Sequence, residues 1–140
     1  MKTSIVIATV IGGLTVAALA WLLLGRETTS PPSAALAHQV NVIVPTLTGQ
    51  AAAGERVFER ACVACHGSNA AGGPGGPPLV HRIYEPGHHA DGAFVLAVRN
   101  GVRQHHWKFG SMPPVADVSP AETASIIAYV RTLQRANGIR

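Results

Sequence analysis

The chain has 140 residues, which suffice for one domain of average size and a short additional segment. The formal net charge is +4, but the basic residues are scattered instead of forming runs, which argues against a nucleic-acid-binding protein. Because aromatic residues make up only 5% of the chain, we expect a large apolar cofactor to help fill the core.

The first predicted element is a membrane anchor within residues 1–25. Residues 5–24 contain no charged side chain and lie between Lys2 and Arg26. As a helix they would extend about 30 Å, enough to cross the hydrocarbon core of a bilayer. The apolar region of a cleaved signal peptide has about 7–15 residues, so we favour a retained anchor or uncleaved signal. Lys2 then predicts a single-pass protein of the cytoplasmic (inner) membrane, with its domain in the periplasm or on the outer face.

Residues 26–47 are predicted to be a linker that tethers the domain to this anchor. Proline, serine and threonine at positions 28–33 are typical of a flexible spacer that prolines stiffen. Val40, Val42 and Val44 occupy alternate positions, which is compatible with a short extended segment on the surface of the domain.

Residues 48–140 show helical patterns and no comparable strand pattern, which predicts an all-α domain. Thr48 is the expected N-cap of a first helix that carries Val57 and Phe58 on one side and runs into the cysteines. Asp91 is the expected N-cap of a short second helix that ends at Gly101. The apolar face of that second helix is predicted to be Phe94, Val95 and Val98.

The third predicted helix has the clearest start. Ser119 is its expected N-cap, Pro120 occupies the first helical position, and Glu122 completes a capping box. Its buried stripe is predicted to consist of Ile126, Ile127, Val130 and Leu133, with Tyr129 beside them.

The sequence Cys62-Val63-Ala64-Cys65-His66 carries the chemistry. Its two thiols lie about one turn apart, so each can bond one vinyl-derived carbon of the same porphyrin, with the imidazole of His66 beneath the iron. A disulfide, a zinc half-site and a redox dithiol are the alternatives. The sequence offers no second Cys-x-x-Cys and no surrounding βαβ pattern, so in an exported chain the motif favours covalent attachment of one haem c.

From residue 48 to its end the chain resembles the class I, monohaem c-type cytochromes. Gly54 and Phe58 are similar to the small and aromatic residues that meet the C-terminal helix in that family, here at Tyr129. The segment 76–79, Gly-Pro-Pro-Leu, is similar to the family's Gly-Pro-x-Leu turn. The resemblance implies a small cytochrome c fold of three main helices around the haem, with Pro77 and Leu79 in the cofactor site and the Pro77 carbonyl accepting a hydrogen bond from His66.

The resemblance also implies that Met112, in Gly-Ser-Met-Pro-Pro, is the sixth ligand of the haem iron. A thioether ligand raises the reduction potential, and the only other methionine is Met1. His105 or His106 is the alternative sixth ligand and would give a lower potential.

The chain departs from the family pattern in its additional histidines. They are His81, His88, His89, His105 and His106, with Trp107 following directly. We expect these side chains to donate hydrogen bonds to haem propionates or to line the rim of the site, and a second site for copper or zinc is the alternative.

With both axial positions of the iron filled, the resemblance implies a one-electron carrier and not an enzyme. Its expected partners are the membrane and redox proteins at the same membrane, either in a respiratory-type chain or within an oxidoreductase complex. No nucleic acid or small-molecule substrate is expected. Two alternatives are a peroxidase-like haem enzyme with a labile sixth ligand and a copper-handling or redox-sensing module that uses the extra histidines.

Overall fold

The computed structural model describes residues 38–140, and within that range the domain is helical. Its helices are α1 (Gly49–Ala61), α2 (Val63–His66), α3 (Asp91–Asn100) and α4 (Pro120–Ala136), with 3₁₀ turns at Ser68–Ala70 and Arg82–Tyr84. The described residues form no strand and only one isolated antiparallel bridge, between Val102 and Met112. The prediction of an all-α domain with three main helices is therefore confirmed.

The core lies where α1 and α4 pack closely together. The rings of Phe58 and Tyr129 are fully buried, with centroids 5.4 Å apart. Gly54 allows this approach, because a Cβ atom there would overlap the backbone carbonyl of Ser125. Burial of one such large apolar side chain stabilises the fold by about 1.5–3 kcal/mol. This contact fixes the end of α1, and with it the start of the cysteine motif.

The helix starts lie where the sequence predicts at two of three places, and the predicted capping hydrogen bonds form at one of them. At α4 the Ser119 hydroxyl accepts a hydrogen bond from the backbone N–H of Glu122, and the Glu122 carboxylate accepts one from the backbone N–H of Ser119, which confirms the capping box. Thr48 stands at the N-cap of α1, but its side chain makes no capping hydrogen bond. The N-cap of α3 is Ala90, so the prediction of Asp91 was wrong by one residue.

Asp91 is the first residue of α3, and its carboxylate bonds to another helix instead of capping this one. Its Oδ1 accepts a hydrogen bond of 2.7 Å from Arg131 on α4. Gly101 ends α3 with φ +73, as predicted. The predicted apolar face is only partly correct, because Phe94 and Val98 pack against the core cluster whereas Val95 is 43% exposed.

The described part of the predicted linker, residues 38–47, lies against the domain. Val40 and Val42 pack on the core, and the backbone N–H of Val40 donates to the carbonyl of Ala71 at 2.9 Å. Asn137, at the end of α4, accepts from the backbone N–H of Ile43 and donates to its carbonyl. These contacts agree with the predicted extended segment on the domain surface.

No helix between residues 38 and 140 has the length and apolar character needed to cross a membrane. The predicted anchor, residues 1–25, and most of the predicted linker lie outside the described residues.

Candidate functional site

The two cysteines lie at the junction between α1 and α2. The backbone N–H of Cys62 still bonds to the carbonyl of Phe58 at 2.8 Å, and the N–H of His66 bonds back to the carbonyl of Cys62 at 3.0 Å. Cys62 and Cys65 are therefore one helical turn apart, and both are free thiols. Burial, and then the neighbouring Cys65, raise the pKa of the Cys62 thiol to about 11. A thiol with a raised pKa is a poor nucleophile, so Cys62 would not be the attacking thiol of a redox dithiol.

The imidazole of His66 is oriented by a backbone carbonyl. Its Nδ1 lies 2.9 Å from the carbonyl oxygen of Pro77. Because a carbonyl can only accept, Nδ1 carries the proton and Nε2 keeps its lone pair for a metal. Burial lowers the pKa of His66, and the Pro77 carbonyl opposes that shift. The ring is thus held neutral in the tautomer that an axial ligand requires.

The glycine-rich segment 72–76 wraps around Cys65 and His66 at close range. A Cβ atom at Gly76 would come within 3.0 Å of His66 Nδ1, and one at Gly75 within 3.2 Å of Cys65 Sγ. The N–H of Gly72 donates to the carbonyl of His66 at 2.7 Å. Larger side chains would therefore displace the histidine and the thiol from these positions.

The isolated bridge fixes the backbone of Met112. Met112 and Val102 exchange two backbone hydrogen bonds of 2.9 Å, which close the loop between α3 and the residues before α4. Gly101 is needed at the base of this loop, since a Cβ atom there would overlap the carbonyl oxygen of Met112. Met112 itself is partly buried and faces a large cleft.

That cleft has a volume of about 560 Å³, within the range of about 300–1,000 Å³ for cofactor pockets. The structure brings to it all six residues predicted to hold the haem: Cys62, Cys65, His66, Pro77, Leu79 and Met112. Further apolar lining comes from α1, α3 and α4, including Phe58, Phe94 and Ile126.

Trp107 supplies a polar test of whether the cleft fits a haem. Its indole N–H is buried and has no hydrogen-bond partner among the described residues. Burial raises the pKa of Tyr84 to about 12, and the nearby Trp107 opposes this rise. The indole N–H of Trp107 and the Tyr84 hydroxyl nevertheless do not reach hydrogen-bond geometry. A buried N–H facing the cleft requires an acceptor, and a haem propionate is one. The apolar lining, the paired thiols and this donor fit a haem.

The predicted histidines divide between the cleft and the surface. His89, His105 and His106 line the cleft, whereas His88 does not. His81 has a structural role, because its side chain accepts a hydrogen bond of 3.2 Å from the backbone N–H of Ile83.

Sequence reasoning missed Arg131, which holds the loop before α3. This side chain is buried on α4 and donates to the carboxylate of Asp91 and to the carbonyls of Tyr84 and His89. It also lies 4.9 Å from the centroid of the Phe94 ring. The sequence signal that could have indicated this role is a charged residue one helical turn after Ile127, within the apolar stripe of α4.

Comparison with known proteins agrees with this geometry. Residues 51–134 match the family model described as cytochrome c. The chain is also 36% identical, over 83 residues, to the cbb3-type cytochrome c oxidase subunit FixPc of Rhizobium leguminosarum bv. viciae. That alignment covers 56% of the present chain and 29% of the length of the relative. Since the family model covers more than half of the chain and the cysteine motif lies inside it, the protein belongs to the class I cytochrome c family.

Proposed function

We propose that the domain is a one-electron carrier with one haem c bound through Cys62 and Cys65 and ligated axially by His66 and Met112. The observation that carries the proposal is the single cleft onto which all six predicted cofactor residues open. The bound haem would supply reversible one-electron chemistry between ferric and ferrous iron.

The protein residues control that chemistry by geometry. The carbonyl of Pro77 orients His66, and the bridge to Val102 holds the backbone of Met112. If His66 and Met112 both held the iron, no coordination position would be left for oxygen, peroxide or a substrate. This arrangement favours electron transfer over a peroxidase-like reaction.

We further propose that residues 1–25 anchor the domain to the inner membrane and that the domain faces the periplasm. A tether raises the effective concentration of partners in the same membrane. The similarity to a cbb3-type oxidase subunit supports a respiratory complex as the partner, either as the acceptor of the electrons or as the assembly to which this chain belongs.

The ligand assignment is tested by Met112→Ala in the haem-loaded protein. We expect loss of the methionine-to-iron charge-transfer band in the oxidised form and a lower reduction potential, because the thioether favours ferrous iron. His105→Gln and His106→Gln are the controls, since these residues are the alternative sixth ligands. A band that survives in Met112→Ala, or carbon monoxide binding to the reduced wild-type protein, would contradict the six-coordinate site.

A further inference from the structure

Two adjacent histidines, His88 and His89, meet His106 of a later loop at the edge of the cleft. We call His88, His89 and His106 the histidine cluster. One ligand nitrogen from each lies within 4.8 Å of the other two. His88 and His106 are exposed, and His89 is half-buried. Their side chains are therefore open to ions in solution.

The turn that carries His88 and His89 is held in place by hydrogen bonds. The backbone N–H groups of both residues donate to the carbonyl of Glu85, at 3.0 and 2.8 Å. The guanidinium of Arg131 donates to the carbonyl of His89. Since Arg131 is buried on α4, this turn is fixed to the core of the domain.

The loop that carries His106 is also braced. The N–H of Gly110 donates to the side chain of Gln104 at 2.7 Å, and the bridge between Val102 and Met112 closes the base of the loop. The two parts of the cluster are therefore presented by restrained segments, which reduces the entropy lost when a ligand binds.

The ring nitrogens of the cluster are arranged for metal coordination. His89 Nδ1 lies 2.6 Å from the carbonyl oxygen of Ile83, so Nδ1 carries the proton and Nε2 offers a lone pair. Imidazole ligands of metals commonly have such a carbonyl partner on the second nitrogen.

The distance between two of these nitrogens matches a tetrahedral site. His88 Nε2 and His106 Nε2 are 3.3 Å apart and share a hydrogen bond, so a metal ion would replace the proton between them. Two nitrogens bound at about 2.0–2.1 Å to a tetrahedral zinc ion are separated by about 3.3–3.4 Å. Propionate binding does not explain this pair, because His88 lies outside the lining of the cleft.

We propose that the histidine cluster binds one divalent transition-metal ion of the kind that prefers imidazole, Cu²⁺ or Zn²⁺, with water completing the coordination. Neutral imidazoles bind both ions, and Cu²⁺ binds a given nitrogen site more tightly than Zn²⁺. The proposed ligands differ from the proposed haem ligands, although His89 and His106 line the cleft and His106 and Met112 belong to the same loop.

The test uses the full haem-loaded chain in detergent without a polyhistidine tag. It is titrated with CuCl₂ or ZnCl₂ in a calorimeter, with MgCl₂ as the ion that imidazoles bind poorly. We expect one Cu²⁺ or Zn²⁺ per chain at micromolar affinity or tighter, stronger binding of Cu²⁺, and no response to Mg²⁺. Absence of saturable Cu²⁺ and Zn²⁺ binding would overturn the proposal.

Variants identify the ligands. The double variant His88→Gln, His106→Gln should lose affinity by about 100-fold or more, since loss of an outer-shell partner alone costs about 10- to 100-fold. The matched control is His105→Gln, an exposed imidazole on the same loop whose Nδ1 lies 2.8 Å from the carbonyl of Arg103. An equal loss in this control, or an unchanged affinity in the double variant, would overturn the proposed ligand set.

The absorption spectrum of the haem shows whether each variant is correctly folded. If the double variant fails to take up haem, the single variant His88→Gln decides, because His88 does not line the cleft. We expect His88→Gln to lose about 10-fold or more in affinity, on the same comparison with outer-shell losses. Unchanged affinity in His88→Gln would likewise exclude the site.

Discussion

Tyr129 is the residue at which packing and polarity conflict most directly. Its ring is fully buried against Phe58, yet its hydroxyl has no hydrogen-bond partner among residues 38–140. Burial, with Glu55 and Glu59 nearby, raises its pKa to about 12, so the hydroxyl stays neutral. Tyr129 therefore stabilises the contact between α1 and α4 through its ring and not through its hydroxyl.

The substitution Tyr129→Phe should leave the free energy of unfolding unchanged or raise it by up to about 1 kcal/mol, because it removes an unpaired buried polar group. Tyr129→Ala is the control and should cost about 3–5 kcal/mol, as large aromatic truncations in cores do. Urea unfolding of the haem-loaded protein measures both. A loss above about 1 kcal/mol in Tyr129→Phe would show that the hydroxyl has a stabilising partner.

At the level of whole helices, a carboxylate contact that acid weakens holds the N-terminus of α4. The carboxylate of Glu122 accepts a hydrogen bond of 2.7 Å from Arg60 on α1 and another from the backbone of Ser119. These bonds, the one from Arg60 first, lower the pKa of Glu122 to about 2. The carboxylate therefore links the first and last helices as well as capping one of them.

A pH series should reveal this link. An unfolded glutamate has a pKa of about 4.3, so the contribution of Glu122 is complete above that pH and is lost as the pH falls towards 2. Glu122→Gln should lower the stability of the haem-loaded protein at pH 7 and reduce its further loss between about pH 4.5 and 2.5. Glu59→Gln, an exposed carboxylate on α1, is the charge-matched control. Equal acid sensitivity in wild type and Glu122→Gln would contradict the role of the cap.

The loop between α3 and α4 depends on Gly101 for two reasons, its positive φ and its contact with the carbonyl of Met112. Gly101→Ala should displace Met112 and weaken the methionine-to-iron charge-transfer band of the oxidised protein. Gly110→Ala is a sharp control, because Gly110 also has a positive φ of +89 but a Cβ atom there meets nothing within 4 Å. Retention of the full band in Gly101→Ala would show that this contact does not position Met112.

At the scale of the whole molecule, the sequence predicted what depends on local chemistry. Three features depend on residues that are close in the sequence: the cysteine motif, the capping box of α4 and the buried stripe of α4. The structure has all three where they were predicted. The resemblance to the cytochrome c family added Gly54 and the Pro77 contact, which no local pattern would reveal.

The errors and omissions concern interactions between residues far apart in the chain. Asp91 has good capping chemistry but is bound by Arg131, 40 residues later. The convergence of His88 and His106 depends on two loops whose paths are set by tertiary contacts. Periodicity and spacing contain no information on contacts between distant residues. The sequence therefore identified these residues as candidates but did not predict that they lie close together.

The proposed anchor also belongs to the whole molecule. We expect the full chain to remain in the membrane fraction at high salt, because about 20 apolar residues insert far more strongly than surface charges bind. A variant with a signal-peptidase cleavage site introduced after residue 25 should still be exported. It should then release a haem-loaded domain into the periplasmic fraction. Recovery of the wild-type chain in that fraction, shortened at its N-terminus, would contradict a retained anchor.

The contacts of Gln39 and Val40 have a mechanical consequence. If residues 1–25 are fixed in a membrane, a pull on the preceding chain meets these two residues first, and they are bonded to the carbonyls of Gly72 and Ala71. The N–H of Gly72 is bonded in turn to the carbonyl of His66, so the load enters the segment next to this histidine. The bonds between Ile43 and Asn137 lie farther along the chain and would carry load only after those contacts had opened.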